Sequence, residues 1–150
     1  SAEANPRALV AEGIARAERE LGEDPALQRA VLLDLSRLEV AIGDPRAAVA
    51  RLAAIEASMD ASDPLAQARA RVALAQALLQ DGQLAEADRV LALALPVLVE
   101  RLPDGDLERL RAEFMVGRIG NNIGRTAQSV ELGTAVHART AAAHGETHSE

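Results

Sequence analysis

The chain has 150 residues, with 33 Ala and 21 Leu but one Phe, no Trp, no Tyr and no Cys. All 16 basic residues are Arg, against 23 Asp plus Glu, for a formal charge of -7. The absence of Cys excludes a disulfide frame, a thiolate nucleophile and a Cys-ligated zinc, and leaves the compartment open. A net negative chain without Lys and nearly without rings lacks the basic patch and the stacking platform of a nucleic-acid binder. Its 49% apolar content suffices to close one ordinary core. The apolar stretch Leu91 to Val99 contains Pro96 and, even with Val90 before it, is too short to span a bilayer, so no direct membrane insertion is expected.

In chain order, the Ala, Leu, Arg and Glu content favours helix throughout. Asn5-Pro6 opens a helix over 7–21, because the amide caps free backbone N–H groups and Pro fits the first turn, where no N–H is needed. Asp24-Pro25, Asp44-Pro45 and Asp63-Pro64 repeat this chemistry and open helices over 25–42, 45–58 and 64–81, with starts 19 or 20 residues apart. Gly22, Gly43 and Gly82 follow apolar-periodic stretches and serve as stops. A fifth helix is predicted over 84–101, with Pro96 expected to kink it or split off its last turn. Two more are predicted over 104–121 and 126–143, separated by the Gly-rich stretch Gly117 to Gly124. That stretch is no phosphate loop, since no strand precedes it and the G-x-G-x-x-G spacing is missing.

Aligned on Gly43, Gly82 and Gly124, which lie 39 and 42 residues apart, the chain repeats itself. Around Gly82, Leu74, Ala75 and Leu78 precede the turn, and Ala87, Leu91 and Ala94 follow it as a small–large–small row. This pattern closely resembles a tetratricopeptide repeat (TPR). Around Gly43 the match is partial: Leu35, Ser36, Ala48 and Leu52 fit, but Glu39 replaces the expected apolar residue. Around Gly124, Val116 and Gly117 fit, whereas Gly120, Ser129 and Gly133 are thin substitutes. The resemblance implies an all-α, right-handed α-solenoid of about seven helices. It would form one domain over 1–150, with a leading helix 7–21 and hairpins 25–58, 64–101 and 104–143. Residues 144–150 read as the truncated start of a further repeat, similar to the junction of the kinesin-light-chain-like variety. The plainer alternative is an unrelated helical bundle.

Residues 8–35, A-L-V-A-E-G-I-A-R-A-E-R-E-L-G-E-D-P-A-L-Q-R-A-V-L-L-D-L, resemble the segment opening the TPR region of bacterial receptor-type serine/threonine protein kinases. No kinase motif occurs in this chain. The resemblance therefore implies a non-catalytic portion of such a parent, extracytoplasmic (periplasmic) in an inner-membrane protein. The rival placement is cytoplasmic, and the rival parent is a bacterial transcriptional regulator with a helical repeat tail.

Catalytic chemistry has little to work with. His137, His144 and His148 all fall in the last fourteen residues; His144 and His148 lack a third ligand, so no metal is expected. Ser36 is explained as the small residue of its repeat, and pairs such as Glu18/Glu20 and Glu23/Asp24 as solvated faces and caps. No catalytic residue and no cofactor is expected. A TPR superhelix turns the first helix of each hairpin toward its concave groove. Six residues before each turn Gly stand Arg37, Gln76 and Arg118, and thirteen before stand Ala30, Arg69 and Arg111. Gln80, Asn121 and Asn122 join them in the last turns, with Asp34, Phe114 and Met115 at mid-helix. Arg presents a bidentate fork to carboxylates, and Asn and Gln can hold peptide backbone groups. The row Arg37, Arg69, Gln76, Gln80, Arg111, Arg118, Asn121 and Asn122 thus suits an acidic peptide or protein partner; the plainer account is Arg solvated or paired with Glu. The family's Lys and Asn carboxylate clamp is absent, and Phe114 is expected in the core. The expected function is a protein-interaction or sensor module. Self-association into a homodimer through uncapped end repeats is the alternative.

Overall fold

The computed structural model describes residues 5–128, with side chains to Asn121. Six helices and no strand occur among them: α1 (Pro6–Glu20), α2 (Pro25–Ala41), α3 (Pro45–Ala57), α4 (Pro64–Gln80), α5 (Leu84–Arg101) and α6 (Leu107–Gln128). Their starts follow the Asx-Pro chemistry closely. Asn5 Oδ1 accepts from the backbone N–H of Arg7 at 2.9 Å. Asp24 accepts from Leu27 N–H at 3.2 Å, and Asp63 from Ala66 N–H at 3.1 Å. These are N-cap bonds that satisfy donors a first helical turn cannot pair internally. Asp44 makes no such bond, so Pro45 alone marks that start. Asp106 caps α6 through Glu108 and Arg109 N–H, which moves its start from the expected 104 to 107.

The ends of α2 and α4 are built identically. Gly43 has φ +94° and Gly82 has φ +82°. Gly43 N–H donates to Val40 O and Asp44 N–H to Glu39 O; Gly82 N–H donates to Leu79 O and Gln83 N–H to Leu78 O, all at 2.8–3.1 Å. This double closure is a Schellman turn, which requires a left-handed residue after the cap and therefore favours Gly. Gly22 ends α1 without positive φ. There the side-chain amide of Gln28, on α2, donates to the Ala17 and Glu18 carbonyls, both at 3.2 Å, and takes over part of the capping.

The described chain groups into two compact units, Ser1–Leu102 and Pro103–Glu150, where the sequence suggests one domain over 1–150. In the first unit α1 packs on α2, α2 on α3 and α4, α3 on α4, and α4 on α5. Helix α4 is the centre: Ala68, Ala70, Val72, Ala73, Leu74, Ala75, Ala77, Leu78 and Leu79 are all buried. Burial on several sides at once explains its Ala content, because small side chains let three neighbouring helices approach. The end helix α1 buries only the stripe Val10, Ile14 and Ala17. Beside it, a Cβ built on Gly13 would stand 3.4 Å from a Leu35 methyl, so this Gly serves close helix packing.

The two hairpins superpose in burial at an offset of 39 residues. Ser36 and Ala75, Ala48 and Ala87, and Leu52 and Leu91 are all buried pairs. Glu39 corresponds to Leu78 and Arg51 to Val90, and here the first hairpin departs from the second. Glu39 is buried, and its carboxylate accepts from the Arg51 guanidinium across the α2–α3 hairpin. The residue that departs from the repeat pattern is thus matched by a second departure facing it, and an ion pair replaces an apolar contact. Ser36 is fully buried, and its hydroxyl has no hydrogen-bond partner among the described residues.

The structure narrows one expectation, since of the two outcomes expected at Pro96 the split does not occur, and revises three others. Helix α5 runs through Pro96 to Arg101 without being split. Helix α6 continues to Gln128, through Gly120 and Gly124, where a turn between helices is expected from the Gly-rich sequence. Most of the helix expected over 126–143 lies outside the described residues, as do the segment 144–150 and all three His. Phe114, expected in the core, is 67% exposed, and Met115, placed on the open row, is buried with Ala112 and Ile119. Residues 114 and 115 point about 100° apart on a helix, so a small error in phase exchanges them.

Candidate functional site

A cleft of about 400 Å³ opens in the first unit between the N-terminal halves of α2 and α4. Ala26, Ala30 and Ala66 leave the space; Leu33, Ile55 and Met59 supply its apolar lining. Arg29, Asp34, Asp63 and Arg69 bring charge to the same cleft. The volume lies toward the small end of ligand sites, which hold about 300–1,000 Å³, and suits one or two side chains of a larger partner.

Helical geometry explains why these residues meet. Arg69, Gln76 and Gln80 are spaced seven and four apart, so they form one stripe along α4; all three are exposed. Ala30, Asp34 and Arg37 make a similar stripe on α2. The helices pack against each other directly, so the two stripes run side by side. Of the candidate row, Arg69 lines the cleft together with Ala30 and Asp34. Arg37 is half-buried and already holds a partner. Arg111, Arg118 and Asn121 are exposed on α6, in the second unit, and the Asn122 side chain lies outside the described residues.

Arg69 stands apart from most guanidinium groups of this unit, because it has no ion-pair or hydrogen-bond partner among the described residues. Elsewhere the plainer account holds. Arg51 pairs with Glu39, Arg71 Nε donates to Glu56 at 3.0 Å, and Arg46 approaches Asp81 at 3.7 Å. Arg29 faces Asp60, whose carboxyl is held below the usual carboxylate range. The main cause is donation from the Ser62 hydroxyl and backbone N–H, with the positive field of Arg29 adding to it. Asp60 and Ser62 belong to the α3–α4 connection, the same segment that supplies Met59 and Asp63 to the cleft.

Arg29, Ile55, Met59 and Asp63 escape a search for groove-facing positions on first helices. Arg29 lies one residue off the α2 stripe. The other three come from the end of α3 and the connection after it, whose path no helical period encodes. Among the described residues no group of three or more His, Asp or Glu is placed to hold a metal ion, and no helix is long and apolar enough to cross a membrane. Compared with known proteins, the chain matches no family model, no curated protein and no solved structure.

Proposed function

We propose that this chain is a TPR-like protein-interaction module, in which a partner segment seats an apolar side chain and a carboxylate in the α2–α4 cleft. The observation that carries the reading is Arg69: a guanidinium without a partner among the described residues, beside an apolar cleft, in a chain of charge -7. Its planar fork suits a carboxylate held in two parallel hydrogen bonds. Leu33, Ile55 and Met59 offer the apolar part of the same segment a surface shielded from water. Gln76 and Gln80, farther along the α4 stripe, can bond the partner's backbone. Asp34 and Asp63 disfavour a uniformly acidic ligand, so the fit is to a mixed segment carrying its carboxylate at the Arg69 side.

The repeated Schellman turns, the 39-residue offset between equivalent buried positions and the packing of α4 on α2, α3 and α5 support a TPR-like right-handed stacking. With the sequence resemblance over residues 8–35, we extend the proposal to the parent: a bacterial receptor-type serine/threonine kinase, with this module on the extracytoplasmic side. Peptides selected from a random library against the whole chain test the cleft. Arg69→Glu and Ala30→Trp, the second filling the cleft from an exposed position, should each abolish binding of the selected peptides while leaving helicity intact. Selected peptides that bind both variants as well as the wild type would overturn the cleft.

A further inference from the structure

Helix α6 presents a second surface of different character. Leu107, Leu110 and Phe114 are 61%, 46% and 67% exposed. Single exposed Leu residues are ordinary on protein surfaces, but these three follow the spacing i, i+3, i+7 and share one face of the helix. The buried row of α6, Ala112, Met115 and Ile119, lies on a different face, so the helix carries two apolar stripes and the exposed one contains the only Phe of a chain without Trp or Tyr.

The charges on α6 are sorted between its faces. Arg109 is neutralised twice, by Asp104 at 2.9 Å and Glu113 at 3.1 Å. Arg111 and Arg118, exposed on the side of the Phe114 stripe, hold no ion pair among the described residues. Asn121 continues the same face one turn beyond Arg118. An aromatic anchor bordered by two guanidinium groups with no ion pair among the described residues matches the composition of protein interfaces, where aromatic residues and Arg are enriched and Lys and Glu are depleted.

We propose that this face docks an acidic amphipathic helix of a partner protein, with Leu, Phe or Met at helical spacing against Leu107, Leu110 and Phe114, and Asp or Glu flanking them to meet Arg111 and Arg118. The apolar stripe supplies the buried area, and the positive charge of Arg111 and Arg118 makes the choice of sign. A second copy of the chain is the poorer occupant, because an isologous contact would bring Arg111 and Arg118 toward their own counterparts. The proposal rests on the interaction-module reading but uses another surface, so the two can fail separately.

The test uses the whole chain and three labelled synthetic helices of about 18 residues, long enough to hold a helix. The first carries Leu and Phe at i, i+3 and i+7 with flanking Glu; the second has Lys for each Glu; the third keeps Glu and has Ala for the apolar residues. Fluorescence anisotropy should show the first binding at least ~10-fold more tightly than the other two. Phe114→Ala should weaken it by ~10-fold or more, and Arg111→Glu with Arg118→Glu should reverse the preference toward the Lys peptide. All three replaced side chains are exposed, so the far-UV circular dichroism of these variants should match the wild type. Equal affinity for the Glu and Lys peptides overturns the proposal, as does binding unchanged by the α6 variants. A homodimer in sedimentation that Phe114→Ala dissolves also overturns it, since the face then belongs to a second copy. Loss of binding on Arg69→Glu alone refutes the α6 surface while sustaining the cleft; loss on the α6 variants alone, with selected peptides indifferent to Arg69→Glu, does the reverse.

Discussion

Truncating Arg51 to Ala strands the Glu39 carboxylate inside the α2–α3 hairpin. The Glu39 side chain is 10% exposed and the Arg51 side chain 22%, so the pair is largely removed from water yet keeps one edge at the surface. Breaking a fully buried pair from one side costs about 3–5 kcal/mol, and the residual exposure lowers the expectation to ~2–4 kcal/mol. For a unit of this size that corresponds to a fall in melting temperature of roughly 10–25 °C. Glu39→Leu should cost less, because Arg51 can carry its charge outward along its aliphatic stem while a short carboxylate cannot. The double change Glu39→Leu with Arg51→Val copies the Leu78 and Val90 pair of the second hairpin, both 3% exposed. It should be neutral or stabilising by up to ~3 kcal/mol, since well-packed apolar residues often replace a buried ion pair without loss. Thermal and urea denaturation followed by far-UV circular dichroism measures the wild type and these three variants. If the Arg51→Ala protein melted within about 2 °C of the wild type, or the double variant as low as the single one, the equivalence of the two hairpins would be refuted.

Ser36→Ala gives the first hairpin the residue its counterpart has at Ala75 and removes a buried hydroxyl with no partner among the described residues; urea denaturation should show neutrality or a gain of about 1 kcal/mol. Gly82→Ala meets no atom within 4 Å, so its effect isolates backbone strain at φ +82°, and a loss of about 1–2 kcal/mol is expected by the same assay. The Asp60 carboxyl should titrate below an ordinary Asp when followed by NMR, and Ser62→Ala should bring it back up, because the dominant cause is donation from the Ser62 hydroxyl and backbone N–H. Since the folded value is depressed, the stability this group contributes is present above the unfolded-state pKa and is lost as pH falls through the folded one. A Ser62→Ala protein whose Asp60 titration is unchanged would instead place the cause at the backbone N–H of residue 62 and the field of Arg29.

Local chemistry made the first five helices legible in the sequence. Caps and turns act within four residues, so Asn5, Asp24 and Asp63 marked starts, and Gly43 and Gly82 marked left-handed turns that only their own backbone demands. The 39-residue self-similarity likewise carried over into equal burial at Ala48 and Ala87 and at Leu52 and Leu91. Tertiary structure decided what depends on a neighbour. Glu39 looks like a defect in the repeat until Arg51 is found across the hairpin, 12 residues away in sequence. The cleft joins side chains of α2 and α4 with the end of α3 and the connection after it, a meeting that no single periodicity contains. On α6 two apolar stripes compete, Leu107–Leu110–Phe114 and Ala112–Met115–Ile119. Hydrophobic spacing is satisfied equally well by either, because burial is a property of what a helix faces and not of the residues alone.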